Sequence, residues 1–327
     1  MDRINVTNIA IIGLGEIGSR HLQALTNIAL PCKIYGVEPS KLALNIAKSR
    51  LEELSANQLP EIQFFHSVEE LPKQLGLVII ATSSDIRLKI LESLFDNNIE
   101  VENIIFEKVV FQRSEDFEKA NRLLSNNQTA SWVNCPRRSW PIYQELRSLL
   151  KKRDELNFVL KGGDWGMGCN SIHFIDLIEW LTASKIFEIS IDKLDPVIFE
   201  SKRKGFMEFS GKLKVNYTGK NKLHLISDVK IKQTPEIKIT GKDFKICINE
   251  SKGTLLIEKE NESNSQEFKT PYQSEMSNFI AEDILIRKKA NLPGFDESMR
   301  QHIIMLNALQ DHIQNTTLTK IDYCPIT

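Results

Sequence analysis

Residues 8–25 read NIAIIGLGEIGSRHLQAL. A short uncharged apolar run meets a glycine cluster and then an amphipathic run, the pattern of a strand, a tight turn and a helix. Gly13, Gly15 and Gly18 fit G-x-G-x-x-G, and a second strand-like run, KIYGVE (33–38), ends in Glu38, twenty residues after Gly18. That combination is the fingerprint of a dinucleotide-binding βαβ unit. Gly13 permits the turn, Gly15 lets a pyrophosphate approach the backbone, and Gly18 lets helix and strand pack closely. The N–H groups of Glu16, Ile17 and Gly18 open the helix and offer donors to phosphate. The Glu38 carboxylate is placed to accept from the adenosine ribose hydroxyls and to repel a 2′-phosphate. NAD is therefore expected over NADP, with Lys41 as the counter-indication.

Outward from this unit, short apolar runs alternate with longer amphipathic ones as far as residue 135. Strand candidates are 8–13, 33–38, 62–66, 77–82, 103–108 and 129–134. Helix candidates between them are SRHLQALTNIA, SKLALNIAKSRLEEL, VEELPKQL, IRLKILESLFDN and SEDFEKANRLLSN. Near-continuous apolar strands alternating with helices imply a doubly wound parallel sheet over residues 1–135, a Rossmann domain. From 136 to 327 the pattern changes to an α+β domain with a large, mostly antiparallel open sheet. KLHLISDVKIK (222–232), PEIKIT, FKICIN and GTLLIEK read as a meander with one wet face. ENESNSQE (260–267) reads as a polar loop, and helices are expected at about 274–289 and 296–314.

Composition narrows the partners. The 42 basic and 43 acidic residues leave a net charge of −1, so no basic field invites nucleic acid. No apolar run reaches the length that spans a bilayer, and the first residues do not form a signal peptide. The five cysteines are scattered without metal-ligand spacing, which fits reduced thiols, a cytoplasmic protein and no metal site.

A second glycine cluster, GGDWGMG (162–168), orders its glycines in the reverse sense and lacks the later acid, so a second dinucleotide site is rejected. The run CNSIHFIDLIEWL that follows is apolar nearly all round, as a buried helix is. At the helical pitch, Cys169, His173 and Asp176 lie within about 60° of one another. Such a stripe requires polar partners or a cavity. A histidine satisfied inside the core is one reading of His173; an acid–base residue facing a pocket is the other, favoured by the glycine-opened space beside it.

At this point the residues resemble a family: the Gfo/Idh/MocA oxidoreductases, over essentially the whole length. The resemblance rests on GLGEIGSRHLQAL with Glu38, on FEKVV (106–110), on PRRSWPIY (136–143), on His173-x-x-Asp176 after a strand and glycine loop, and on LPGFDESMRQHIIMLNAL (292–309). It implies that Lys108 lies beside the reacting carbinol and the nicotinamide, that Glu107 contacts the nicotinamide-side ribose, and that His173 is the general base. It implies that Asp176 orients His173 or binds a substrate hydroxyl. Thr82 and Ser83 of ATSSDIR join the cofactor contacts by the same resemblance, and Arg138 and Tyr143 shape the substrate pocket. Three positions depart from the family: Cys169 replaces an aspartate, Val109 a proline and Arg87 a histidine. Asn170 and Trp165 remain to bond and stack on a sugar. The WGMGCNSIHFID stretch also resembles relatives in bacterial surface-sugar biosynthesis.

The expected activity is hydride transfer between a nicotinamide and a secondary alcohol or ketone of a sugar or sugar derivative, by a homodimer or homotetramer that binds neither nucleic acid nor membrane. Two rivals stand beside it. One is a nucleotide-bound sugar sensor without turnover, supported by Cys169. The other is an NAD-assisted lyase or glycosidase.

Overall fold

The computed structural model describes residues 6–54, 60–260 and 262–327. The chain divides into two compact units. The first gathers the chain up to Phe111 with Glu115–Asn134 and Pro271–Asp296; the second gathers Gln112–Ser114, Cys135–Thr270 and Glu297–Thr327.

The first unit is a six-stranded parallel sheet. Its strands are β1 (Thr7–Ile12), β2 (Cys32–Val37), β3 (Glu61–Phe65), β4 (Leu77–Ile80), β5 (Asn103–Phe106) and β6 (Ala130–Val133), in the order β3-β2-β1-β4-β5-β6. Helices α1 (Glu16–Leu25), α2 (Lys41–Glu52), α3 (Arg87–Asp96) and α4 (Ser114–Asn126) provide the longer connections. All four residues of β4 and of β5 are buried, which explains the unbroken apolar runs of β4 and of residues 104–106 in β5. The strand order reverses at β1, and the loop after that strand is where an open parallel sheet binds its ligand.

VEELPKQL, expected as a helix, is a single 3₁₀ turn (Val68–Glu70) followed by the two-residue strand Gln74–Leu75. Pro72 is the reason: its ring disfavours helical backbone at Leu71, which is extended at φ −68, ψ 151.

Residues 271–296 fall within the span 136–327 read from sequence as the second domain, yet they pack in the first unit. They carry helix α7 (Ser277–Arg287) and Phe295, the first residue of α8 (Phe295–Thr317). The Phe295 ring lies 5.4 Å from Phe106, 6.4 Å from Phe111 and 6.1 Å from Phe117. Burying each such ring is worth about 1.5–3 kcal/mol.

The second unit is an eight-stranded sheet made of β7 (Asn157–Gly162), β8 (Ile186–Leu194), β9 (Gly211–Tyr217), β10 (Lys222–Ser227), β11 (Glu236–Thr240), β12 (Phe244–Asn249), β13 (Thr254–Lys259) and β14 (Glu262–Glu267). Its order is β8-β9-β10-β7-β11-β12-β13-β14, antiparallel except where β7 and β10 run parallel. The meander expected from 222 onward is thus split by β7. It also starts with a shorter strand, because Asp228 turns the chain: its carboxylate accepts from Lys230 N at 3.0 Å and its carbonyl from Ile231 N at 3.1 Å.

The stretch expected as a polar loop forms, over Glu262–Glu267, an exposed edge strand on β13; residue 261 lies outside the described residues. Strands β8 and β9 and helix α5 (Pro141–Leu150), which starts on a proline, were not anticipated. Helix α6 (Met167–Thr182) follows β7 and is buried over most of its circumference.

Candidate functional site

The glycine loop of the first unit has the properties its sequence demands. Gly13 holds φ +89, and a Cβ there would meet the Thr82 backbone nitrogen at 2.9 Å. A Cβ at Gly18 would overlap the Gly13 carbonyl oxygen, so helix and loop are in direct backbone contact. A Cβ at Gly15 would meet nothing within 4 Å. The space over Gly15 is open to a ligand, while Gly13 and Gly18 are closed by packing. No side chain caps the start of α1, leaving its first-turn donors to solvent or a ligand.

Glu16 and Ile17 are exposed on that first turn. The Glu16 carboxylate pairs with Arg50 at 2.6 Å, and this bond and charge hold it below the usual glutamate range. Glu38 is buried and braces the loop, accepting from Leu14 N at 2.8 Å and from Ser40 N at 2.9 Å. Each carboxylate oxygen retains acceptor capacity beyond one such bond. Thr82 and Ser83 follow β4, half-buried, and the buried Thr82 Oγ1 has no hydrogen-bond partner among the described residues.

Beside them, Glu107 and Lys108 follow directly on the end of β5. Lys108 is half-buried and its peptide to Val109 is cis. Arg87, standing where the family carries histidine, is a buried strut: it donates to the carbonyls of Thr82 and Val109, and to that of Val110 at 2.7 Å. Glu107 is 6% exposed and bonds inward, to His21 Nε2 at 2.9 Å and to Asn134 Nδ2. Burial raises its carboxyl, but the bond and charge of His21 and the Asn134 amide outweigh it, so the group sits below the usual range.

In the second unit, the polar stripe of α6 opens at one end and is sealed at the other. Cys169, Asn170 and His173 are half-buried, together with Trp165 in the loop before them. Asn170 Nδ2 donates to the Trp165 carbonyl at 2.8 Å, and Trp165 Nε1 to the Ile226 carbonyl at 2.9 Å. The Trp165 ring meets Phe174 edge-on at 5.7 Å.

Asp176 is fully buried and gives both oxygens to Arg138, at 2.9 and 2.5 Å; Arg138 also reaches Glu297 at 2.8 and 3.1 Å. Burial pushes the Asp176 carboxyl up to about 6 against the pull of Arg138, and Glu297 and Glu179 add to the rise. Asp176, expected to orient His173 or to bind a substrate hydroxyl, thus has both carboxylate oxygens taken by Arg138. Arg138 and Tyr143, expected to shape the substrate pocket, are likewise buried. Tyr143 donates to Glu250 Oε1 at 2.5 Å, and Arg137 clamps the same carboxylate at 2.8 and 2.7 Å.

The start of α6 also shows what GGDWGMG does. Gly166 is left-handed at φ +71, and a Cβ at Gly168 would press on Glu208 and Phe209. Glu208, buried and unmarked by any sequence signal, accepts from Gly168 N at 2.6 Å and Cys169 N at 3.2 Å. A carboxylate already occupies the donors a phosphate would need, which excludes an anion there.

Among the described residues no group of three or more His, Cys, Asp or Glu is placed to hold a metal ion, and no helix is long and apolar enough to cross a membrane. Residues 7–135 match the profile of an oxidoreductase family with an NAD-binding Rossmann fold, GFO_IDH_MocA. Among solved structures, a UDP-N-acetylglucosamine 3-dehydrogenase from Acidithiobacillus ferrooxidans is similar at TM-score 0.72 and 14% identity, covering 93% of this chain and 97% of that one. An oxidoreductase from Agrobacterium radiobacter, in complex with NAD+, L-tartaric acid and magnesium, is similar at 0.73 and 12%, covering 95% and 97%. The transcriptional regulator Gal80p from Kluyveromyces lactis is similar at 0.73 and 12%, covering 95% and 91%. No curated protein matches the chain by sequence.

Proposed function

Residues 7–135 belong to the NAD-binding Rossmann module of the Gfo/Idh/MocA oxidoreductase family, and from that premise we propose that the protein is a nicotinamide-dependent dehydrogenase or reductase acting on a secondary alcohol or ketone of a sugar or sugar derivative. The observation that carries this reading is the glycine loop, open only over Gly15 and braced by Glu38. Those residues fit a dinucleotide. The first-turn N–H groups of Glu16, Ile17 and Gly18 would hold the pyrophosphate, and Glu38 the adenosine ribose, which favours NAD over NADP.

A nicotinamide held there would supply the hydride acceptor or donor. By the family resemblance, Lys108 would stabilise alkoxide character on a substrate oxygen, and the His173 imidazole would take or return a hydroxyl proton. Asn170 and Trp165 recognise the sugar by a hydrogen bond and by the indole face. The sugar class is supported by the likeness in fold to the UDP-N-acetylglucosamine 3-dehydrogenase. The open sheet of the second unit is the proposed contact in a homodimer or homotetramer, and neither nucleic acid nor membrane is a partner.

Titration of the purified protein with NAD(H) and NADP(H) by calorimetry tests the premise; binding of neither overturns it. On a panel of sugars and sugar nucleotides, Lys108→Ala and His173→Ala are each expected to lower kcat by about 10²–10⁴-fold. The second reading, a sugar sensor without turnover, draws on Cys169 and on the sealing of Asp176 by Arg138. Sugar binding with no cofactor reduction by wild type would favour it.

A further inference from the structure

Five polar side chains drawn from separate parts of the first unit close a ring inside it: His21, Glu107, Asn134, Gln273 and Ser277. His21 lies on α1, three residues beyond Gly18, and is 1% exposed. Its Nε2 meets Glu107 Oε1 at 2.9 Å and its Nδ1 meets Ser277 Oγ at 2.7 Å. Gln273 Nε2 donates to Ser277 Oγ at 2.8 Å, and Ser277 Oγ reaches the Gln273 carbonyl at 3.2 Å. Asn134 Nδ2 completes the circuit, donating to Gln273 Oε1 at 3.0 Å and to Glu107 Oε1.

The hydrogens can be assigned without conflict. With Nε2–H directed at the carboxylate, Nδ1 either accepts the Ser277 hydroxyl or, protonated, donates to it while that hydroxyl turns to the Gln273 carbonyl. Every ring member retains a partner in both states. A buried network of this kind is stiff when fully satisfied and costly when any one member is removed.

Apolar side chains of similar volume would stabilise this interior at least as well as a buried ion pair does. What the polar ring adds is position. It fixes the carboxylate at the carboxyl end of β5, the edge of the sheet where ligands bind, and ties it to the helix that the glycine loop opens.

We infer that His21 is a positioning residue, which through Glu107 sets the nicotinamide end of the dinucleotide site, while the phosphate end depends on the glycine loop alone. The inference rests on the dinucleotide reading above. The ring bonds engage the residue immediately before Lys108, so the geometry they impose is passed on through one peptide.

The test uses the full chain and two probes, NADH and ADP; the second has the diphosphate and the adenosine ribose but neither the nicotinamide nor its ribose. His21→Ala is expected to weaken NADH by about tenfold and to leave ADP within about twofold. His21→Gln, which keeps an N–H donor toward Glu107, recovers most of the NADH affinity. Gln273→Ala enters the ring from its far side at a half-buried position and shows the same split with smaller amplitude; it also serves if His21→Ala does not fold.

Parallel loss of both probes in these variants assigns the ring a structural role only and overturns the inference, as does unchanged NADH affinity in both. Those failures leave the dinucleotide reading standing. Failure of wild type to bind either probe removes that reading and the inference with it.

Discussion

A methyl group added at Gly15 and one added at Gly18 have opposite consequences. The first enters open space, so Gly15→Ala is expected to keep stability within about 0.5 kcal/mol while obstructing the ligand's approach. The second collides with the Gly13 carbonyl, which is backbone and cannot rotate away, so Gly18→Ala should cost about 1–3 kcal/mol or more. Chemical denaturation and NADH titration of the two variants separate the effects; equal loss of stability in both would refute the assignment of Gly15 to ligand space. The close packing at Gly18 and the unfilled space over Gly15 were legible in the sequence because the fingerprint is local: strand, turn and helix lie within eighteen residues. The fate of Asp176 was not legible. Its partner Arg138 is 38 residues upstream, and Glu297, on the same guanidinium, is 159 residues from that arginine. Helical spacing correctly put Cys169, His173 and Asp176 on one stripe, but could not tell which end of it is open.

Helix α6 depends at its start on a carboxylate from elsewhere. Gly166 supplies the left-handed turn but no side chain, and Glu208 takes the donors of Gly168 and Cys169. Charge-assisted bonds to a helix N-terminus are worth about 1.5–3 kcal/mol where buried. Glu208→Ala is therefore expected to lower unfolding free energy by about 2–3 kcal/mol, with Glu208→Gln falling between it and wild type. Urea unfolding of the three proteins checks the order. An unchanged midpoint for Glu208→Ala would mean that solvent satisfies the helix start equally well. At the same scale, the strands buried on both faces and the strongly amphipathic helices were readable from composition and period. The failures have local causes: Pro72 stops a helix, Asp228 ends a strand early, and β14 pairs although it is polar throughout. An edge strand with no buried face has no apolar alternation to announce it.

Two properties belong to the whole chain. The first is its acid limit. Glu107 is held below the usual glutamate range, so the unfolded chain binds a proton there more readily than the folded one. Its stabilising contribution is present above the unfolded value, near 4.3, and is lost as pH falls through the lower folded value. Glu107→Gln should flatten this part of the acid limb of stability against pH; an unaltered slope would deny Glu107 that share. The second property is connectivity. A boundary at residue 135 follows from the change in sequence pattern, but the first unit is completed by Pro271–Asp296, a return that no local pattern signals. That segment brings Phe295 against Phe106, Phe111 and Phe117, and Gln273 and Ser277 into the ring around His21. Without it, a fragment of residues 1–135 loses Phe295 from the phenylalanine cluster and loses the Ser277 and Gln273 partners of His21 and Asn134, which keep only Glu107, a deficit of several kcal/mol in a domain whose whole stability is about 5–15 kcal/mol. The fragment is expected to give a non-cooperative thermal transition and no NADH binding, both recovered when residues 271–296 are joined to it through a flexible linker. A cooperative transition with NADH affinity equal to the full chain, in the fragment alone, would show that the returning segment is dispensable.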